Sequence, residues 1–129
     1  MILDCLIVKE KWLNMILDGY KSLEIRGVRT HKRGLIGLIQ SGTGEVKGIA
    51  SLTDCRKLDK KDFVRLQGFH QIKDKEWEEL PYKNVYGWKM EKRRRLRKPV
   101  KYNHPRGAVI WGKVDIPEEV LYGKEEHNK

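Results

Sequence analysis

Gly19-Tyr20-Lys21-Ser22-Leu23-Glu24-Ile25-Arg26 is where the hydrophobic pattern of the chain changes period. Before it, Trp12, Met15 and Ile16 fall at the i, i+3, i+4 spacing of one helical face, which predicts a short amphipathic helix over Lys11 to Asp18. Gly19 ends that helix, since a glycine accepts a left-handed C-terminal conformation without a Cβ clash. From Ser22 the period is two: Leu23 and Ile25 face one way, Ser22, Glu24 and Arg26 the other, as in a half-buried strand. Lys21 lies at the junction, where its amine can point into a cleft rather than along a sheet.

Upstream, Ile2 to Val8 reads as a buried strand. Downstream, a basic loop from Val28 to Arg33 leads to an apolar strand, Gly34 to Gln40, then a turn at Ser41-Gly42-Thr43-Gly44 and a long returning strand, Val46 to Leu58. Asp59 to Leu66 has helical spacing with Phe63 and Leu66 inward, and Gln67 to Tyr82 is a polar excursion of helix and loop. Val85 to Met90 reads as a strand, Glu91 to Lys98 as a charged extension or loop, and Gly107 to Val114 as a last strand ending at Asp115-Ile116-Pro117. Many strands without a regular alternation of strand and long helix predict an α+β chain built on a small, mainly antiparallel barrel. One domain is expected over residues 1–122, with a polar, frayed tail over residues 123–129.

The composition agrees. The chain has 129 residues and 39% hydrophobic content, enough for one core. No window reaches the roughly 20 apolar residues of a membrane span. The first residues lack the marks of a signal peptide, so a cytoplasmic protein is expected. Cys5 and Cys55 have no CxxC or His-rich neighbours and read as buried small hydrophobes, with no disulfide and no metal site. No Walker loop, GxGxxG, HExxH or GxSxG occurs, and no cofactor is expected. The 28 Lys and Arg against 18 Asp and Glu give a net charge of +10, which favours RNA, DNA or a nucleotide as partner.

The G-x-K-x-x-E-x-R pattern of residues 19–26, placed between a helix that carries a leading Trp and a strand, resembles the ASCH domain, a branch of the PUA-like barrels. The likeness continues at Lys47-Gly48-Ile49-Ala50-Ser51-Leu52, at Tyr86-Gly87-Trp88-Lys89-Met90 and from Pro99 to Trp111. It implies a small PUA-like mixed β-barrel of five or six strands with flanking short helices and a cleft beside residues 19–26. It also implies binding of RNA or of modified nucleotides. Some small members resemble hydrolases, either ribonucleases or amidohydrolases of acetylcytidine. In the hydrolytic type a Thr stands where this chain has Glu24, so a hydroxyl nucleophile is missing there.

Two functions stay open. One is an RNA- or nucleotide-binding module with its cleft at the motif; the other is a hydrolase acting on RNA or on an acylated nucleoside. Lys21 can bind phosphate as a point charge, or act as a base where a dry pocket and Arg26 lower its proton affinity. The plain alternative is an ion pair with Glu24 that only orders the strand. Glu24, between two cations, suits a hydrogen-bond acceptor or a general base for water better than an acid. Arg26 can fork two donors to a phosphate. Ser22 is the nearest candidate nucleophile, and Ser41 either offers a hydroxyl at the cleft mouth or caps its own turn. Trp12 and Trp88 are expected at the cleft as stacking surfaces, with Trp111 in the core. The run Lys92-Arg93-Arg94-Arg95-Leu96-Arg97-Lys98 is expected to form a phosphate-tracking rim, carried by Arg93, Arg94 and Arg95.

Overall fold

The computed structural model describes residues 1–104 and 110–122. Its elements in chain order are β1 (Ile2–Val8), α1 (Glu10–Leu17), β2 (Leu23–Arg26), β3 (Gly34–Gln40), β4 (Glu45–Leu58), α2 (Lys60–Arg65), α3 (Gln67–His70), a 3-10 turn (Asp74–Glu79), β5 (Val85–Lys101), β6 (Trp111–Asp115) and α4 (Glu118–Tyr122). The six strands form one sheet in the order β2-β5-β4-β3-β1-β6. All neighbours are antiparallel except β1 and β3, whose parallel pairing needs the crossover that α1 and β2 supply.

The mixed strand pairing and short flanking helices are those expected, but the sheet is open rather than closed into a barrel. Among the described residues no ladder joins β2 to β6. Helices cover the sheet instead. Leu6 and Val8 of β1 pack with Leu13, Ile16 and Leu17 of α1 on one face. Leu3 and Cys5, one step out of phase, pack with Ile116 and with Leu121 of α4 on the other. Both faces of the central strands are therefore apolar, which is why β1 and β3 read as nearly continuous hydrophobic runs. Cys5 and Cys55 are free and buried, and burial pushes the Cys5 thiol up to about 12.

A third cluster lies under the excursion between β4 and β5, where Phe63 of α2 meets Ile25, Leu58, Ile72 and Val85. Asp59 starts α2 with a reciprocal capping box: its side chain accepts from the Asp62 amide, and the Asp62 side chain accepts from the Asp59 amide.

One segment differs from the reading of the sequence. Residues 92–98, expected as a charged extension or loop, belong to β5, which runs unbroken through them. The long edge of β4 supplies the backbone partners, with Gly48 opposite Arg95 and Ile49 opposite Arg94. Register shifts at three places along β4, and a positive φ of 50° at Lys92, break the strict alternation that would have marked a strand. Only Leu96 of this run is buried. The last strand begins at Trp111; residues 107–109 of the expected strand and the tail 123–129 lie outside the described residues.

Helix α1 sits so close to β4 that Gly48 has no room for a side chain. A Cβ there would stand 2.5 Å from Leu17 Cδ2 and 2.8 Å from the Arg94 carbonyl oxygen. Gly48→Ala is expected to destabilise the fold by about 1–3 kcal/mol through overpacking. Gly68→Ala, in α3 with nothing within 4 Å of the added carbon, should be neutral or stabilising by up to about 1 kcal/mol. Urea unfolding of both variants checks the contrast, which equal effects would contradict.

Candidate functional site

The short strand β2 brings Glu24 and Arg26 beside Lys21, and the three side chains form one buried ionic cluster. The Lys21 ammonium donates to the His70 carbonyl oxygen at 2.6 Å and stands 3.6 Å from Glu24 Oε1. The other carboxylate oxygen of Glu24 accepts from Arg26 Nε at 2.9 Å, and Arg26 Nη2 donates to the Ile7 carbonyl oxygen at 2.8 Å. The side chains of Lys21, Glu24 and Arg26 are 0%, 6% and 16% exposed, so water screens little of this field. Every buried side-chain nitrogen and oxygen among the described residues has a hydrogen-bond partner. Such a cluster is costly to assemble, because desolvation offsets much of the ionic attraction.

Trp12 of α1 covers the cluster, with the Lys21 ammonium 4.6 Å from its ring centroid. Burial lowers the Lys21 pKa from its ordinary value to about 8, against the opposing pull of the Glu24 carboxylate. The carbonyl that holds Lys21 is itself fixed by the His70 ring. Its Nδ1 accepts from the Ile72 amide at 3.0 Å, so Nε2 carries the proton and donates to the Phe63 carbonyl at 2.7 Å. The ring stacks on Phe63 at 4.2 Å, and burial lowers its pKa further below the ordinary histidine value. His70 is thus a neutral peg joining the excursion to the ionic cluster.

Above the cluster opens a cleft of about 480 Å3. It is lined by Lys9, the residue that caps α1, by Trp12 of α1, by Ile72, Glu76, Glu79 and Tyr82 of the excursion, and by Ile7 and Ser41. The structure therefore brings together Trp12, Lys21, Glu24, Arg26 and Ser41 from the sequence-based set. Glu76, Glu79 and His70 were missed, because no local pattern in a polar excursion reveals which of its residues fold back over a strand more than forty positions away.

Five expected site residues stand elsewhere. Ser22 precedes β2, so the alternation that would align it with Glu24 does not reach it. It borders a separate groove with Leu23 and Phe69, and its backbone is bound to the Phe69 carbonyl and the Met90 amide. Trp88 is fully buried in the core rather than at the cleft; its ring stacks on Trp111 at 5.8 Å and its indole N–H donates to the Val28 carbonyl. Arg93 donates to the Lys21 carbonyl at 2.7 Å, and Arg95 binds Asp18 and Asn14 of α1, so both are committed to the fold. Arg94 is half-buried opposite Ile49, and none of the three lines the cleft. No group of three or more potential metal ligands occurs among the described residues, and no helix there is long and apolar enough to cross a membrane.

No protein-family model matches the chain, and no curated protein sequence is significantly similar to it. Its fold does have solved counterparts. The ASCH protein of Zymomonas mobilis superposes with a TM-score of 0.66 at 12% identity, over 95% of this chain and 93% of that one. A serine-to-alanine variant of that protein matches over 96% of this chain and 94% of its own length, and a tyrosine-to-phenylalanine variant over 95% and 96%, each with the same TM-score and identity. The chain therefore shares the α+β fold of that ASCH protein over nearly its whole length.

Lys21 also links the site to pH. Between its folded value of about 8 and its ordinary value of 10.5 the unfolded chain binds the extra proton, so this residue's contribution to stability rises as pH increases through that window. Against Lys21→Met, the wild type should gain up to about 1.4 kcal/mol per pH unit between pH 8 and pH 10. Urea unfolding of both proteins across that range measures the difference, and a gap that stays flat with pH would contradict the burial of a charged amine.

Proposed function

We propose that the protein is a nucleic-acid-binding ASCH module whose cleft takes one unstacked base of a single-stranded RNA. The observation that carries this reading is a half-buried indole and a fixed set of hydrogen-bonding groups sharing one cleft. Its volume lies within the range of small-ligand pockets. RNA is read largely through bases that have left the stack and lie against aromatic rings, with polar groups meeting their edges. Trp12 supplies the ring and Glu24 an acceptor for a base donor. The exposed Lys11, whose ammonium also stands 4.6 Å from the Trp12 centroid, is the cover a stacking base displaces.

Affinity comes from the net charge of +10. Within the basic run, Lys92 and Arg94 form no ion pair among the described residues and are the side chains best suited to phosphate, whereas Arg93 and Arg95 already serve the fold.

A second reading, hydrolysis, has one observation in its favour: the Lys21 amine, drawn toward neutrality, lies beside a carboxylate in the same cleft. In that role Lys21 and Glu24 would activate a water against RNA or against the acyl group of a nucleoside such as acetylcytidine.

Anisotropy titrations of short single-stranded RNAs over a salt series test the binding reading. Trp12→Ala should weaken binding by about five- to a hundredfold, the effect of losing one stacking platform. The Lys92→Glu, Arg94→Glu pair should weaken it further and flatten its salt dependence. Absence of RNA binding at low salt would overturn the proposal. Incubation of wild type and Lys21→Ala with the same RNAs and with acetylated nucleosides tests the second reading, which requires product from the wild type and none from the variant.

A further inference from the structure

The cleft does not end at Ser41. A second hollow of about 440 Å3 adjoins it, sharing Ile7 and Ser41 as lining residues and bounded beyond them by Gly42, Gly44, Tyr102 and His104. We infer that the two hollows form one groove for two successive nucleotides, the first base against Trp12 and the second against Tyr102 and His104, with the linking phosphodiester at Ser41. This rests on the nucleic-acid reading of the cleft and extends it, since it makes the ligand an oligonucleotide rather than a free nucleoside.

Three observations carry it. First, Tyr102 is a fixed aromatic platform. Its amide donates to the Gly44 carbonyl at 3.0 Å, and its ring lies so close over Gly112 that a Cβ there would stand 3.2 Å from Cε2. Its hydroxyl bonds His104 Nδ1 at 2.8 Å, with the rings edge to face at 83° and 5.9 Å between centroids. A ring held at backbone, face and hydroxyl can receive a base without further ordering cost.

Second, two of the residues that border this hollow, Gly42 and Gly44, have no side chain to obstruct a polymer. Gly42 and Gly44 turn the chain with φ of 85° and 67°, a conformation that favours glycine, and they leave the turn bare where it borders the hollow. Third, Ser41 lines both hollows. Its amide is held by the Val8 carbonyl at 2.9 Å, while its exposed hydroxyl makes no hydrogen bond among the described residues and can donate to a phosphate oxygen. An apolar ligand would leave that hydroxyl idle, and a single nucleoside would fill only one hollow.

The full chain is titrated by calorimetry with nucleoside monophosphates and with the matching dinucleotides of all four bases, for the wild type and for Trp12→Ala, Tyr102→Leu and His104→Ala. At least one dinucleotide should bind the wild type about tenfold or more tighter than its monophosphate. Tyr102→Leu and His104→Ala should shrink that ratio while leaving monophosphate affinity in place, and Trp12→Ala should weaken both ligands together. His104 is exposed, so its truncation reports on the groove even if Tyr102→Leu loosens the fold. Equal binding of one and two nucleotides, or a dinucleotide gain that persists in both variants, would overturn the inference while sparing the nucleic-acid reading. Failure of every ligand to bind would overturn both.

Discussion

The burial of one lysine constrains the rest of this molecule. Lys21 is fully enclosed, and a charged amine in that position survives only where each of its protons meets an acceptor or a π face. The acceptors come from distant parts of the chain: a carboxylate on β2 and a main-chain carbonyl at the end of α3, with the indole of α1 alongside. Through Arg26 the same network reaches the backbone of β1. One ionic cluster thus fixes the first helix, the short edge strand, the excursion and a central strand relative to one another, and the cleft is the space left between them.

The peg on the excursion side is a neutral histidine rather than a charged one, and that choice has a physical reason. A protonated His70 would add another cation near Lys21 and Arg26, in a setting where burial and the Lys21 charge outweigh the pull of Asp74. By accepting through one ring nitrogen and donating through the other, it stitches α2 to the segment after α3 and leaves its carbonyl aimed at Lys21.

Much of this architecture was legible in the sequence where local pattern and tertiary structure agree. The change from helical to alternating periodicity around Gly19 placed α1 and β2, and the continuous apolar runs marked β1 and β3. The motif residues Lys21, Glu24 and Arg26 converge as expected, with Trp12 over them. Where reading failed, a long-range contact outweighed the local signal. The basic run became strand because β4 extends far enough to pair with it, and bulges hid its alternation. Trp88, which alternation alone cannot assign to cleft or core, is drawn into the interior by its stack on Trp111. Ser22 missed the cleft because β2 starts one residue later. The wall formed by the excursion had no local signature, since its position depends on long-range contacts: a hydrophobic cluster around Phe63 and the His70 carbonyl meeting the Lys21 amine.

The arrangement of charge around Glu24 carries an evolutionary consequence. Its carboxylate sits between two cations that repel each other, so a neutral residue at this position would leave Lys21 with burial and Arg26 both opposing its proton. A lineage that exchanges this acid for a neutral side chain must then release a cation from the cluster or keep an amine whose hold on its proton is weaker still. The first course dismantles the anchor, and the second turns it into a base. A single codon at position 24 thus decides whether the two buried cations keep the acid that holds them together.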